Sequence, residues 1–375
     1  MRYLADRTSL IDASGIRKVF NLAATMKDPI NFSIGQPDYD VPDALKQVAI
    51  DAIKQGKNRY TTTAGDAELL AKIAKKTTAE TGWQNPAALV ASGVSGALLL
   101  AFMATINPGD EVIIPDPYFV MYKHLVNLLG GKCVFVDTYP DFALHPQKIA
   151  DKITDKTKLI IINSPCNPTG AVYSKEDLKA LAEIARKREI LILSDEIYDQ
   201  FCYDAPYQSM APLYENTILM KGFSKSYAMT GWRLAYVAAP SHLKPIVEEM
   251  IKIQQYTFVC APAPFQQAAI AAMDFDISNY IADYKTKRDI LYTSLKDKFE
   301  MTKSAGAFYA FIKAPTKTST EFVEKAIKNN VLIIPGNVFS EKDTHFRLCF
   351  TTTNDKLQQG AEILKLISQQ PKSRL

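Results

Sequence analysis

Histidine is scarce in this chain, four in 375 residues, and the cysteines are odd in number and far apart. Cys133, Cys166, Cys202, Cys260 and Cys349 form no Cys-x-x-Cys pair. That spacing indicates neither a disulfide framework nor a zinc site, so no metal is expected and a reducing, cytoplasmic setting fits best. No segment approaches the ~20 apolar residues of a membrane span. The N-terminus carries Arg2, Asp6, Arg7 and Asp12 with no apolar stretch of signal length, so no membrane association is expected. Also missing is any Lys/Arg block interleaved with aromatics: 44 basic and 40 acidic residues are well mixed, for a net charge of +4. Nucleic acid is therefore not an expected partner. No Gly-x-Gly-x-x-Gly follows a first strand, which argues against a nicotinamide dehydrogenase. The one address is Ser373-Arg374-Leu375, close to the Ser-Lys-Leu signal, which makes a peroxisome the alternative location.

What is present is a long chain, 47% hydrophobic, ample for a large domain with a smaller companion. Its middle alternates short β-branched runs with amphipathic segments, the pattern of a parallel sheet covered by helices. The clearest unit starts at Leu159-Ile160-Ile161-Ile162, a run suited to a strand buried on both faces. It ends at the turn-forming Asn163-Ser164-Pro165-Cys166-Asn167-Pro168-Thr169-Gly170. Ser174 with Asp177 resembles a capping box, and Leu178, Leu181, Ala182 and Ala185 share one helical face. Ile190-Leu191-Ile192-Leu193 returns as a strand, and similar runs occur at Ala88-Leu89-Val90, Glu111-Val112-Ile113-Ile114 and Thr217-Ile218-Leu219-Met220. With right-handed crossovers, the carboxyl ends of parallel strands share one edge where ligands bind. Asn167, Asp195 and Lys225 are expected to converge there.

Beyond about residue 280 a charged helical run, Asp283 to Lys298, leads into short strands around Gly306-Ala307-Phe308-Tyr309 and His345-Phe346-Arg347-Leu348. These predict a division into residues 1–42, an arm with part of the small domain; 43–280, the large domain; and 281–375, the α+β small domain.

Five motifs recur in one order: Gly35-Gln36-Pro37-Asp38, Asn167-Pro168-Thr169-Gly170, Asp195-Glu196-Ile197-Tyr198, Lys221-Gly222-Phe223-Ser224-Lys225 continuing to Trp232-Arg233, and Phe346-Arg347-Leu348. In these the chain resembles the class I/II, fold-type I pyridoxal-phosphate aminotransferases, aspartate and aromatic enzymes among them, over essentially its whole length. The resemblance implies an α/β fold with a mostly parallel seven-stranded sheet flanked by helices and a smaller α+β domain. It implies pyridoxal 5′-phosphate as cofactor and ping-pong transfer of an amino group from an L-amino acid to a 2-oxo acid such as 2-oxoglutarate.

By resemblance, Lys225 forms the Schiff base and then shuttles the proton, a task that needs a sometimes neutral amine. Burial and a nearby cation such as Arg233 both favour that form. Asp195 matches the carboxylate that keeps the pyridine nitrogen protonated, and Tyr198 and Asn167 match the groups on the ring oxygen. Gly93-Val94-Ser95-Gly96, before an apolar helix, offers backbone N–H groups of Val94 and Ser95 to the phosphate, joined by Arg233. Many relatives have a serine where this chain has Gly222; Ser224 is the poorer substitute because it adjoins the lysine. Tyr60 resembles a tyrosine that reaches the phosphate from a second copy, which implies a homodimer with shared sites. Phe119 corresponds to a ring stacked on the cofactor. Arg347 and the N–H of Gly35 are implied for the substrate carboxylate, since arginine offers a planar two-donor fork.

Single residues also have plain readings: a solvated lysine, a helix-capping aspartate, a core tyrosine or phenylalanine, an edge-strand arginine. For the substrate side chain, Gly93-Val94-Ser95 lacks the lysine of one aspartate-type subgroup, and Gln254 to Cys260 contains Tyr256 and Phe258 but no arginine. Both features tilt the reading toward aromatic or apolar donors, with aspartate the other option. A carbon–sulphur lyase would keep every cofactor residue. A non-catalytic sensor domain should follow a DNA-binding module, for which Gly35-Gln36-Pro37 comes too early.

Overall fold

The structure, a computed structural model, describes residues 3–369 apart from the side chain of Phe20. The Ser373-Arg374-Leu375 tripeptide lies outside them. In chain order the strands begin with the short β1 (Ile30–Asn31). Seven more follow: β2 (Ala87–Ser92), β3 (Glu111–Asp116), β4 (Lys132–Asp137), β5 (Thr157–Asn163), β6 (Leu191–Asp195), β7 (Thr217–Gly222) and β8 (Leu234–Ala239). These seven form one sheet in the order β2-β8-β7-β6-β5-β3-β4. Only β8 runs antiparallel to its neighbours; the other pairings are parallel.

The apolar runs explain the layers. On β5, Leu159 and Ile161 join the core that includes the helix Gly93–Thr105. Ile160 and Ile162 join the opposite core with Leu178, Leu181, Ala182 and Ala185 of the helix Lys175–Lys187. A strand buried on both faces needs such an unbroken run, and each fully buried Leu or Ile contributes roughly 1.5–3 kcal/mol. The predicted cap starts that second helix: Ser174 Oγ accepts from the Asp177 N–H at 3.0 Å and donates to Asp177 Oδ2 at 2.6 Å.

The remaining strands are β9 (Tyr309–Lys313), β10 (Val331–Leu332), β11 (Ile334–Pro335) and β12 (His345–Cys349). β11, β12 and β9 make an antiparallel sheet, while β10 pairs in parallel with β1. The chain start is thus stitched to its last third, with Phe32 N–H donating to Leu332 O and Cys349 N–H to Phe32 O. β9 begins later than the sequence indicates. Ala307 takes a left-handed backbone, φ 52°, and its N–H is committed to Phe201 O. The charged helix spans Ser278–Leu295 and packs on Asn354–Ser368. Among the described residues no helix is long and apolar enough to cross a membrane, and no cluster of His, Cys, Asp or Glu could hold a metal.

Candidate active site

Parallel strands deliver their polar carboxyl-terminal residues to one edge. Asn163 ends β5 opposite Asp195, which ends β6, and β7 ends three residues before Lys225. They open into a cavity of about 240 Å³, also lined by Asn167, Tyr198, Arg233 and Arg347.

Lys225 is partly buried, and its Nζ donates to Gly35 O at 2.6 Å. Burial pulls its pKa down to about 8, assisted by Arg347 and Arg233 and opposed by Cys349 and Asp195. About a tenth of the amine is therefore neutral at pH 7, far more than for a solvated lysine. The amine also lies 5.9 Å from the ring centres of both Tyr198 and Phe308.

Asp195 is buried, and burial pushes its carboxyl up to about 6 against the hydrogen bonds that favour its charge. Tyr122 donates to Oδ2 at 2.6 Å and the Ile197 N–H to Oδ1 at 3.3 Å. Asn163 braces both strand ends: its side chain donates to Asp195 O at 2.9 Å and accepts from the Asn167 N–H at 3.0 Å. Tyr198 shares a 2.6 Å hydrogen bond with Tyr309, and burial raises its phenol well above the ordinary range, so it stays a donor.

Arg347 on β12 is 1% exposed. It donates to Asn167 Oδ1 at 3.0 Å and Ser33 O at 2.7 Å, while Nε has no partner. The guanidinium lies between the Tyr309 and Phe339 rings, 4.7 and 4.5 Å from their centres. Five donors and two bonds leave part of the guanidinium's capacity unmet, and the side chain lines the cavity. A Cβ on Gly35 would collide with the Tyr309 hydroxyl, so only glycine brings the backbone this close.

At the other end, Gly93, Val94 and Ser95 form the first turn of the helix Gly93–Thr105, whose leading N–H groups lack intrahelical partners. Gly93 has φ +69°, and a Cβ there would sit 2.5 Å from Arg233 Nη2. The arginine thus packs directly over the helix N-terminus. Arg233 itself has a left-handed backbone and donates to Thr230 O at 2.9 Å.

The cavity gathers all the predicted site residues except Tyr60, which is 82% exposed elsewhere. Ser224 lines the cavity as well, and at Gly222 a Cβ would meet Ile197 Cδ1. Sequence reading missed Tyr122, Asn163, Tyr309 and Ile16. Asn163 could have been found as the last residue of an apolar strand; Tyr122, which makes an edge-to-face pair with Phe119 at 5.6 Å, had no such local signal.

One cavity thus holds a lysine, a buried carboxylate, a buried arginine and a second arginine over a helix N-terminus, the set that the motif resemblance implies. The model for "Aminotransferase class I and II" matches residues 27–364, and the chain belongs to that family. It is 38% identical to a probable aspartate aminotransferase of Methanocaldococcus jannaschii, over 97% of this chain and 99% of the relative. The aspartate aminotransferase of Thermus thermophilus with maleate superposes with a TM-score of 0.93 at 30% identity, covering 98% of this chain and all of that one. The aromatic aminotransferase of Pyrococcus horikoshii gives 0.87 at 35% identity, covering 94% and 98%. The protein is an aminotransferase with the fold of those enzymes.

Proposed function

We propose that this enzyme uses pyridoxal 5′-phosphate held by Lys225, with aromatic, apolar or aspartate amino donors and 2-oxoglutarate as acceptor. The observation that carries the reading is the convergence of Lys225, Asp195, Arg233 and Arg347 on one cavity. The cavity's groups fit this cofactor. Arg233 over a helix N-terminus suits a phosphate, Asp195 suits a protonated ring nitrogen, and the Arg347 guanidinium, lining the cavity with donors to spare, suits a carboxylate.

When bound, pyridoxal phosphate supplies an aldehyde that condenses with amines and a ring that draws electrons from the substrate's α-carbon. Asp195 holds a proton at the pyridine nitrogen, and Tyr122 keeps that carboxylate oriented. Tyr198 and Asn167 donate toward the ring oxygen. Phe119 covers a ring face. Val94 and Ser95 N–H groups, the Ser95 and Ser224 hydroxyls and Arg233 take the phosphate, with Tyr60 arriving from a second copy of this chain. Arg347, with the Gly35 N–H and Asn167, fixes the α-carboxylate, so that the neutral Lys225 amine meets the α-proton.

Exposed aromatics favour a homodimer with shared sites. Tyr60 and Tyr256 are 82% and 85% exposed, and Phe258 is 37% exposed. Gln254 donates to Thr63 O at 2.7 Å, tying their two segments together. For the donor side chain, Ile16, Val94, Phe119 and Ile197 give the cavity an apolar wall.

The test is the absorption spectrum of the protein loaded with pyridoxal phosphate, followed by phenylalanine, tyrosine or aspartate without acceptor. A visible band that each true donor converts to near-ultraviolet absorption is expected, and Lys225→Ala should lose the band and nearly all turnover. No band in the parent protein would sink the proposal. Pyruvate, ammonia and a thiol accumulating over many turnovers from cystathionine, added likewise without acceptor, would replace it with the lyase.

A further inference from the structure

Lys225 is held at two points by one short segment. Its amine donates to Gly35 O at 2.6 Å, while its own carbonyl accepts from the Tyr39 hydroxyl at 3.1 Å. The same hydroxyl lies 3.0 Å from Ser226 O, so one proton is shared between two successive carbonyls. Those carbonyls open a turn that closes on Ala228, a non-glycine residue with φ +55°. Such a conformation persists only where the surroundings hold it.

Tyr39 is in turn anchored outside the site. Its ring stacks on Tyr280 at 4.0 Å between centres, 19° from parallel. The preceding residue, Asp38, accepts from Tyr284 Oη and from Lys287 Nζ, both at 2.6 Å. All three partners lie on the helix Ser278–Leu295. The strap from Gly35 to Tyr39 therefore links that helix to both ends of the lysine.

We propose that Tyr39 is a positioning residue for Lys225, its hydroxyl pinning the pivot about which the lysine side chain swings. The inference deepens the proposed role of Lys225 and rests on it. A lysine that leaves one partner, moves a proton and returns needs a fixed base, because small misplacements of a reacting group carry large rate penalties. Burial raises the Tyr39 phenol far above its ordinary range, so it remains a donor at working pH.

Tyr39→Phe keeps the stack on Tyr280 and removes only the hydroxyl. In the loaded enzyme kcat should fall roughly three- to tenfold, the scale of one lost net hydrogen bond, with KM for the donor nearly unchanged. In the cofactor-free full chain, the pH midpoint of Lys225 acetylation, followed by mass spectrometry, should rise from about 8 by about half a unit or more as the freed amine reaches solvent. Tyr39→Leu, which removes ring and hydroxyl, should match Tyr39→Phe in midpoint while melting lower. A Tyr39→Phe protein with unchanged midpoint and kcat, whatever its melting temperature, overturns the inference. So does a midpoint that moves only in Tyr39→Leu. The cofactor spectra of the parent and Lys225→Ala decide the role of Lys225 separately, since the labelling needs no cofactor.

Discussion

Arg347 carries its charge between two aromatic rings, and the geometry makes its replacement by lysine far from conservative. An ammonium cannot reproduce the fork that reaches Asn167, Ser33 and a ligand together. Arg347→Lys and Arg347→Ala should both raise KM for every amino donor by a similar factor, roughly tenfold or more, because the α-carboxylate is common to all. Steady-state kinetics on three unlike donors would check this. A loss confined to one donor would assign the arginine to side-chain recognition.

Asp195 gives a second prediction at this scale. Its carboxyl titrates at about 6 when folded and near 3.8 in the unfolded chain. The folded cofactor-free protein thus binds the proton more tightly and loses stability as pH climbs from about 4 past 6, by on the order of 3 kcal/mol at most. Asp195→Asn has no charge to bury. It should melt above the parent at pH 7–8 and no higher near pH 4, in differential scanning calorimetry without cofactor. An equal gain at both pH values would mean packing is responsible. Lys225, Asn167, Asp195 and Arg347 were legible in the sequence because each sits in a short motif beside a turn or strand end. Tyr122 was not: its partner Asp195 is 73 residues away. Ile16 lies on a helix whose approach to the cavity no local pattern encodes.

Among the elements, the helix Gly93–Thr105 is the most exposed to a single change. Gly93→Ala would impose a left-handed backbone on a residue with a Cβ and press it into the Arg233 guanidinium. Destabilisation of roughly 1–3 kcal/mol is expected, with weaker retention of pyridoxal phosphate as the larger effect. Equilibrium dialysis against the cofactor would measure it, and undiminished retention would remove this turn from the phosphate site. Element by element, the buried strands β5, β6 and β7 announced themselves as apolar runs. β4 did not, since it lies at the sheet edge and is only partly covered. β1, β10 and β11 have two residues each, too few to display any period. Nor does sequence reveal that β8 reverses direction, because strands buried on both faces look alike either way.

At the scale of the whole molecule, the proposed homodimer with shared sites predicts complementation. Lys225→Ala and a Tyr60→Ala variant should each be impaired alone. In a mixed dimer, one site would combine both defects and the other neither, restoring about half the parent activity per dimer. Mixing after mild dissociation, with activity followed against time, is the check; no recovery, with mixed dimers demonstrated by mass spectrometry, would show that Tyr60 serves its own subunit.

The pairing of β1 with β10 joins Ile30 to Val331 and Asn31 to Leu332. On the ribosome, the first of these strands emerges some 300 residues ahead of its mate, a wait of roughly 15–60 s at ordinary elongation rates. Throughout that interval the apolar Ile30 and Phe32 have nothing permanent to cover them. The nascent polypeptide is therefore a natural client for a holdase around Ile30 to Phe32, and the site stays open until Val331 and Leu332 have been made.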